Sequence, residues 1–139
     1  MTAIFLSDLA DADRLRFASK MLKAAQDEGA IPPDRPGLVG SEECVFALSV
    51  RRYGGCAVFY QPEDHDFLWL DVLYVVPSLR RLGVGITMLE KVFVEARQRG
   101  LSGVRLGTQV SNTPMQALAA KAGWTAESLT FHRDARRAG

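Results

Sequence analysis

Residues 76–86 read Val-Pro-Ser-Leu-Arg-Arg-Leu-Gly-Val-Gly-Ile. Two adjacent arginines and two glycines one residue apart stand between an apolar run and an amphipathic stretch. That is the make-up of a strand-to-helix turn. The first amides of a helix lack partners within it and lie at the positive end of its dipole. Glycine lets such amides approach a ligand closely and arginine adds charge, so the segment suits a pyrophosphate. The alternative is a glycine-rich helix start with no ligand. Two other phosphate motifs are excluded. A dinucleotide fingerprint needs a third glycine where Met88 stands, and the Gly-Lys-Ser/Thr ending of a P-loop is absent.

Asp71 is the only charge in the most apolar run of the chain, from Phe67 to Val76. Enclosed in such a strand, a carboxylate needs a partner or a purpose. It is either a paired structural group or one that acts on a substrate. Period-two alternation sets it on the face of Trp69 unless a bulge intervenes. Tyr53, Tyr60 and Tyr74 read as core or rim residues. Glu63, Asp64, His65 and Asp66 form either an ordinary surface loop or a cluster that attracts a cation.

Composition narrows the classes. The chain has 139 residues, 47% of them hydrophobic and 24% charged, which fits one domain, 1–139, able to bury a sizeable core. Net charge is +1, so the field of a general nucleic-acid binder is missing, and Arg133, Arg136 and Arg137 read as a solvated end. Cys44 and Cys56 do not form a Cys-x-x-Cys pair, and His65 and His132 stand alone, so no metal site is expected. The two cysteines read as buried thiols in a reducing compartment. Met1 to Leu6 has no basic segment before a long apolar core, and no apolar run approaches the roughly 20 residues of a membrane span. A cytoplasmic location, with no membrane partner, is the expectation.

The elements that must position these residues follow from periodicity. A strand is expected over Thr2–Leu6, then a helix from about Asp11, with Leu15, Ala18, Leu22 and Ala25 on one stripe, flanked by Phe17 and Met21, and Gly29 as its stop. Ile31 to Ser41, rich in proline and glycine, reads as a loop. Cys44–Val50 and Gly55–Tyr60 read as strands joined by a hairpin at Arg51–Gly54. Phe67–Val76 reads as a central strand covered on both faces. A helix runs from Gly83 to Gly100 with the stripe Ile86, Leu89, Phe93 and Ala96. A strand over Gly103–Val110 follows, then a helix capped by Ser111 or Asn112 that stops at Gly123, and a last strand clearest at Leu129–His132. The helix from Gly83 can link two parallel strands, as in a βαβ unit.

Arg80-x-x-Gly83-x-Gly85, following Leu73-Tyr74-Val75-Val76-Pro77, resembles the coenzyme-A-binding motif of the GNAT acetyltransferases. A second match is Asn112-x-x-Met115-x-x-Leu118-Ala119-x-Lys121-x-Gly123-Trp124. The resemblance is close over Leu70 to Trp124 and elsewhere lies mainly in element order. It implies an α/β (α+β) GNAT acyltransferase fold: a mixed central sheet with splayed central strands, flanked by helices. It implies acetyl-coenzyme A as co-substrate and direct transfer of the acetyl group to a primary amine of a small molecule, amino acid or peptide, with no metal.

The resemblance also implies roles. Leu73 and Val75 would pair with pantetheine through their backbone, and the Val75 amide would face the thioester carbonyl. The amides of Arg81, Leu82, Gly83, Val84, Gly85 and Ile86, with Arg80 and Arg81 adding charge, would hold the pyrophosphate. Asn112 would contact the pantetheine arm. Asp71 becomes a candidate base or acceptor contact. Trp69, where several relatives carry a glutamate, becomes a wall of the acceptor pocket or an ordinary core residue. The tyrosine that serves many relatives as general acid is Ala119 here, which favours the alternative of a non-catalytic acyl-coenzyme-A-binding module. About 15 residues follow Trp124, where relatives usually add two strands, which would leave an exposed sheet edge for a second subunit to cover in a homodimer. If the acidic loop attracts the amine, neutralising Glu63, Asp64 and Asp66 together is expected to raise the acceptor's KM. Unchanged kinetics would remove that role.

Overall fold

Apolar alternation in the strands and apolar stripes on the helices leave two faces of one sheet to be covered, and two helices cover them. In the computed structural model, residues 2–8, 12–33, 42–49, 52–107, 113–127 and 133 are described. In chain order the elements are β1 (Thr2–Asp8), α1 (Ala12–Asp27), β2 (Glu43–Ser49), β3 (Arg52–Tyr60), β4 (Phe67–Val75), α2 (Val84–Gln98), β5 (Gly103–Leu106) and α3 (Thr113–Lys121). Among these residues the sheet is five-stranded, ordered β1-β2-β3-β4-β5. The first four strands are antiparallel, and β4 pairs with β5 in parallel through the α2 crossover. The sheet is therefore mixed, as expected. No helix among the described residues is long and apolar enough to cross a membrane.

On one face, Ala18, Met21, Leu22 and Ala25 of α1 pack on Cys44, Phe46, Cys56, Val58, Val72 and Tyr74. Both cysteines are buried free thiols. On the other face, Val84, Met88, Leu89, Val92 and Ala96 of α2 pack on Val45, Ala47, Ala57, Phe59, Leu68 and Leu70. This corrects the expected stripe of α2. Leu89 and Ala96 belong to it, but Ile86 is half-buried and Phe93 is 39% exposed. Val84, Met88, Val92 and Ala96 form an unbroken row at four-residue steps, which the helix period favours equally. At the far end of α2, Arg99 forks onto Glu43 and bonds Glu95 at 2.8 Å, tying the helix to the start of β2.

The register of β3 on β4 slips by one residue. Val58 stands opposite Val72 but Phe59 opposite Leu70, so Asp71 has no counterpart. This bulge reverses which side chains face which helix. Before it, Leu68 and Leu70 join the α2 layer; after it, Val72 and Tyr74 join the α1 layer. The strand thus feeds both cores, as its near-continuous apolar run implies. Asp71 itself is exposed, against the expectation of an enclosed carboxylate, because the extra residue leaves the pleat.

Three boundaries differ from the sequence reading. β3 begins at Arg52, so the β2–β3 connection is tighter than Arg51–Gly54, and Gly54 is the extra residue of a second bulge opposite Ala47 and Leu48. β5 ends at Leu106 rather than Val110; residues 108–110 and the expected final strand at 129–132 lie outside the described residues. A short 3-10 turn, Pro77–Leu79, precedes α2.

Gly55 is a position where only hydrogen fits. A Cβ there would lie 2.9 Å from the Tyr74 carbonyl oxygen, 3.2 Å from Met88 Cε and 3.4 Å from Ala47 Cβ. The first neighbour is sheet backbone and has no room to withdraw. Gly55→Ala is expected to destabilise the fold by about 1–3 kcal/mol, read as a lower midpoint in chemical denaturation. An unchanged midpoint would contradict this packing.

Candidate functional site

The turn between β4 and α2 is built from two left-handed residues. Arg81 has φ 66° and Gly83 has φ 79°. Glycine adopts this region freely, while a residue with a Cβ does so at a cost in strain. Gly83 caps α2, and its carbonyl accepts from both the amide (3.1 Å) and the hydroxyl (2.8 Å) of Thr87. Thr87 is therefore the first helical donor. The amides of Arg81 to Ile86 have no hydrogen-bond partner among the described residues. The first turn of α2 carries no acidic side chain, which keeps its positive end open to an anion. A Cβ at Gly83 would meet nothing within 4 Å, so the space above the turn is open. Gly85 serves differently. A Cβ there would lie 3.1 Å from Leu118 Cδ2, so this glycine lets α2 start close against α3.

Beside the turn, among the described residues, the outer edge of β4 beyond Leu70 is unpaired. Pairing with β5 extends only from Phe67–Gly103 to Leu70–Leu106 and stops one residue before the bulge. Val76 donates its amide to the Gly54 carbonyl at 2.8 Å. Alternation along the ladder then turns the backbone groups of Leu73 and Val75 away from β3, toward the side that β5 has left. The side chains of Leu73, Val75, Leu106 and Leu118 are half-buried in the α2 layer around this opening. The result is an apolar slot with backbone donors and acceptors along one wall and free helix amides at one end. That is the splay the sequence resemblance implied.

The arginines divide. Arg81 and Leu82 are exposed at the turn, and no ion pair engages Arg81 among the described residues. Arg80 turns back: its Nε donates to the Val75 carbonyl at 3.0 Å and its guanidinium pairs with Glu28 at 2.5 Å. The Tyr74 hydroxyl donates to the other Glu28 oxygen at 2.8 Å, and the Arg80 guanidinium lies 5.7 Å from the centre of the Tyr74 ring. Bonds from Arg80, then from Tyr74, hold the Glu28 carboxyl below the usual glutamate value. Burial, then the bond to Glu28, raises the Tyr74 phenol. Sequence reasoning missed Glu28, which follows α1 and carries no motif. Tyr74 was assigned only to core or rim.

Near the other end of the slot, Tyr60, Trp69 and Arg105 stand opposite one another on β3, β4 and β5. The Trp69 ring reaches over Gly107, where a Cβ would be 3.4 Å from the indole, just past the end of β5. Arg105 stacks 4.6 Å from the Phe67 ring centre and pairs with Glu127 at 3.4 Å. Asp71 sits in the bulge beside this row. Glu63, Asp64, His65 and Asp66 are exposed in the β3–β4 loop, where the Asp66 carbonyl accepts from the amide (2.7 Å) and hydroxyl of Ser102. Ala119 is half-buried in α3. Asn112 lies outside the described residues. No group of three His, Cys, Asp or Glu side chains gathers to hold a metal among the described residues.

Residues 39–124 match the family model described as acetyltransferase (GNAT) family. No curated protein sequence matches the chain. Solved structures with the same fold include the aminoglycoside acetyltransferase AAC(6′)-Iy in complex with the bisubstrate analogue CoA-S-monomethyl-acetylneamine, with a TM-score of 0.75 and 17% identity over 96% of this chain and 98% of that one. Another is the aminoglycoside acetyltransferase meta-AAC0020 from an uncultured soil metagenomic sample, in complex with trehalose, with a TM-score of 0.76 and 13% identity over 96% and 94% of the two chains. A ribosomal-protein-alanine N-acetyltransferase from Brucella melitensis biovar Abortus 2308 has a TM-score of 0.73 and 18% identity over 96% and 99%. At these identities the likeness shows the fold.

Because the folded pKa of Glu28 is depressed, its ion pair stabilises the fold above the usual value of 4.5 and the gain is lost as pH falls through the folded value. Glu28→Gln is therefore expected to lower Tm at neutral pH, with the gap to the parent chain closing as pH drops below 4.5. A gap that does not change with pH would contradict the pairing.

Proposed function

The chain belongs to the acetyltransferase (GNAT) family, and we propose that it transfers the acetyl group of acetyl-coenzyme A directly to the amine of a small molecule, amino acid or peptide. The observation that carries this is the set of free amides from Arg81 to Ile86 beside the unpaired edge of Leu73 and Val75. A pyrophosphate fits the open turn, and an extended amide chain fits the slot. In this assignment Arg81 supplies charge to the phosphates, and Leu73 and Val75 pair with pantetheine. The thioester, at the end of the arm furthest from the phosphates, lies toward the bulge, where the Leu73 amide is the β4 donor to its carbonyl rather than the Val75 amide.

Transfer joins the amine nitrogen to the acetyl carbon and breaks the carbon–sulfur bond, releasing coenzyme A as thiol or thiolate. The attacking amine must be neutral. For an alkyl ammonium of pKa about 10.4, deprotonation at pH 7 costs roughly 4–5 kcal/mol. Charge then gathers on the carbonyl oxygen, where a fixed backbone donor such as a β4 amide near the bulge is most effective. A thiol of pKa about 8.5 leaves readily as its anion, so the alanine at position 119 is compatible with turnover. The half-buried row of Tyr60 and Trp69, close to the exposed Asp71 and the acidic loop, suits an acceptor that combines an apolar body with a cationic amine. Asp71 is the carboxylate assigned to accept the amine's proton or to hold the ammonium. The same proposal needs no metal, nucleic acid or membrane and is cytoplasmic.

A non-catalytic acyl-coenzyme-A-binding module is the second reading, favoured by Ala119 and by Trp69 where several relatives carry a glutamate. Two measurements separate them. Acetyl-coenzyme A is expected to raise Tm and to bind in the micromolar range, and Arg81→Ala to weaken binding roughly 10–100-fold, as loss of one charge-assisted contact implies. Incubation with acetyl-coenzyme A and an amine panel is expected to release free thiol. Binding without thiol release from any amine supports the module; no saturable binding contradicts both readings.

A further inference from the structure

Arg80 belongs to the glycine motif, yet its side chain points away from the glycines. Its Nε bonds the Val75 carbonyl at 3.0 Å, and this carbonyl lies on the unpaired edge of β4. An added strand pairing along that edge would otherwise use it. The guanidinium is held from behind by Glu28 at 2.5 Å, and Glu28 is held in turn by the Tyr74 hydroxyl at 2.8 Å. Glu28 is itself fixed at the end of α1, its amide bonding the Ala24 carbonyl at 3.1 Å. The chain of contacts runs from helix α1, across the end of β4, to one backbone oxygen of the slot.

We infer that Glu28 and Tyr74 are positioning residues that lock Arg80 onto the Val75 carbonyl and so fix the register in which pantetheine adds to β4. With that oxygen occupied, the usable edge ends at the Val75 amide. The incoming amide chain, entering from the phosphate turn, begins its pairing at the Val75 N–H and runs on to Leu73. Beginning one step nearer the turn would require displacing a charge-assisted bond. The same lock keeps Arg80 off the phosphate turn and leaves Arg81 as its cation. The inference rests on the acyl-coenzyme-A site proposed above and adds the residues that set its alignment.

Calorimetry with two probes tests it. Acetyl-coenzyme A engages both turn and slot, whereas 3′-phospho-ADP engages the turn alone. Glu28→Ala is expected to raise the Kd for acetyl-coenzyme A about tenfold and to leave that for 3′-phospho-ADP within about twofold. Glu28→Gln, which keeps an oxygen for Arg80, is expected to lose less than about threefold. If Glu28→Ala does not fold, Arg80→Lys retains the charge but lacks the guanidinium Nε, and the same selective loss is expected. A merely structural role would weaken both probes alike or neither, and either result overturns the inference. Should the parent chain bind neither probe, the fault lies with the acyl-coenzyme-A site itself; should it bind both, the variants judge the lock alone.

Discussion

Strand β4 has one residue more than β3 needs, and the architecture of the site follows from where that residue sits. Up to Leu70 the strand is paired on both sides and feeds the α2 core. After Asp71 it feeds the α1 core and, among the described residues, is paired on one side only. Among these residues a single bulge thus marks where an interior strand becomes an edge without moving to the rim of the sheet. Exposed edges are normally covered or blunted, because unpaired amides and carbonyls invite another chain. Here Leu106 of β5 and Leu118 of α3 pack on the same core beside that edge, and an extended chain of amides is the occupant proposed for it.

The bulge also brings an edge and a helix start together in one short segment. The turn after β4 presents amides with no partner among the described residues, and its two glycines answer different needs. Gly83 supplies a left-handed φ, whereas Gly85 supplies a close approach to Leu118. The adjacent arginines likewise differ: Arg81 faces outward, and Arg80 reinforces the end of the strand. The proposed backbone recognition asks little of side-chain identity, and the same fold is shared at 13–18% identity with the solved structures described above.

Much of this was legible in the sequence. Proline and glycine bracket the turn, the apolar run from Phe67 announces an interior strand, and Arg80, Gly83 and Gly85 stand at the motif's spacing. The family resemblance implied a bulge in this strand, but the residue pattern did not locate it. Leu68, Leu70, Val72 and Tyr74 alternate without a break, and only their partners across the sheet reveal that two pairs face opposite ways. For the same reason Asp71 looked enclosed although it is exposed. The buried row of α2 was misassigned because Phe93 outweighed Val92 and Met88 in hydrophobicity while the packing followed geometry. Glu28 carries no local signal, since its role depends on a residue 52 positions on, as the numbering of Glu28 and Arg80 shows.

Central to the proposed function is the grip of backbone amides, with the Arg81 side chain adding charge, on the phosphates of the acyl carrier. Amide resonances report this directly. Titrating isotopically labelled chain with coenzyme A is predicted to shift the amides of Arg81 to Ile86 most strongly, with Val75 responding to the pantetheine arm. Changes centred elsewhere, or no change at saturating ligand, would contradict it.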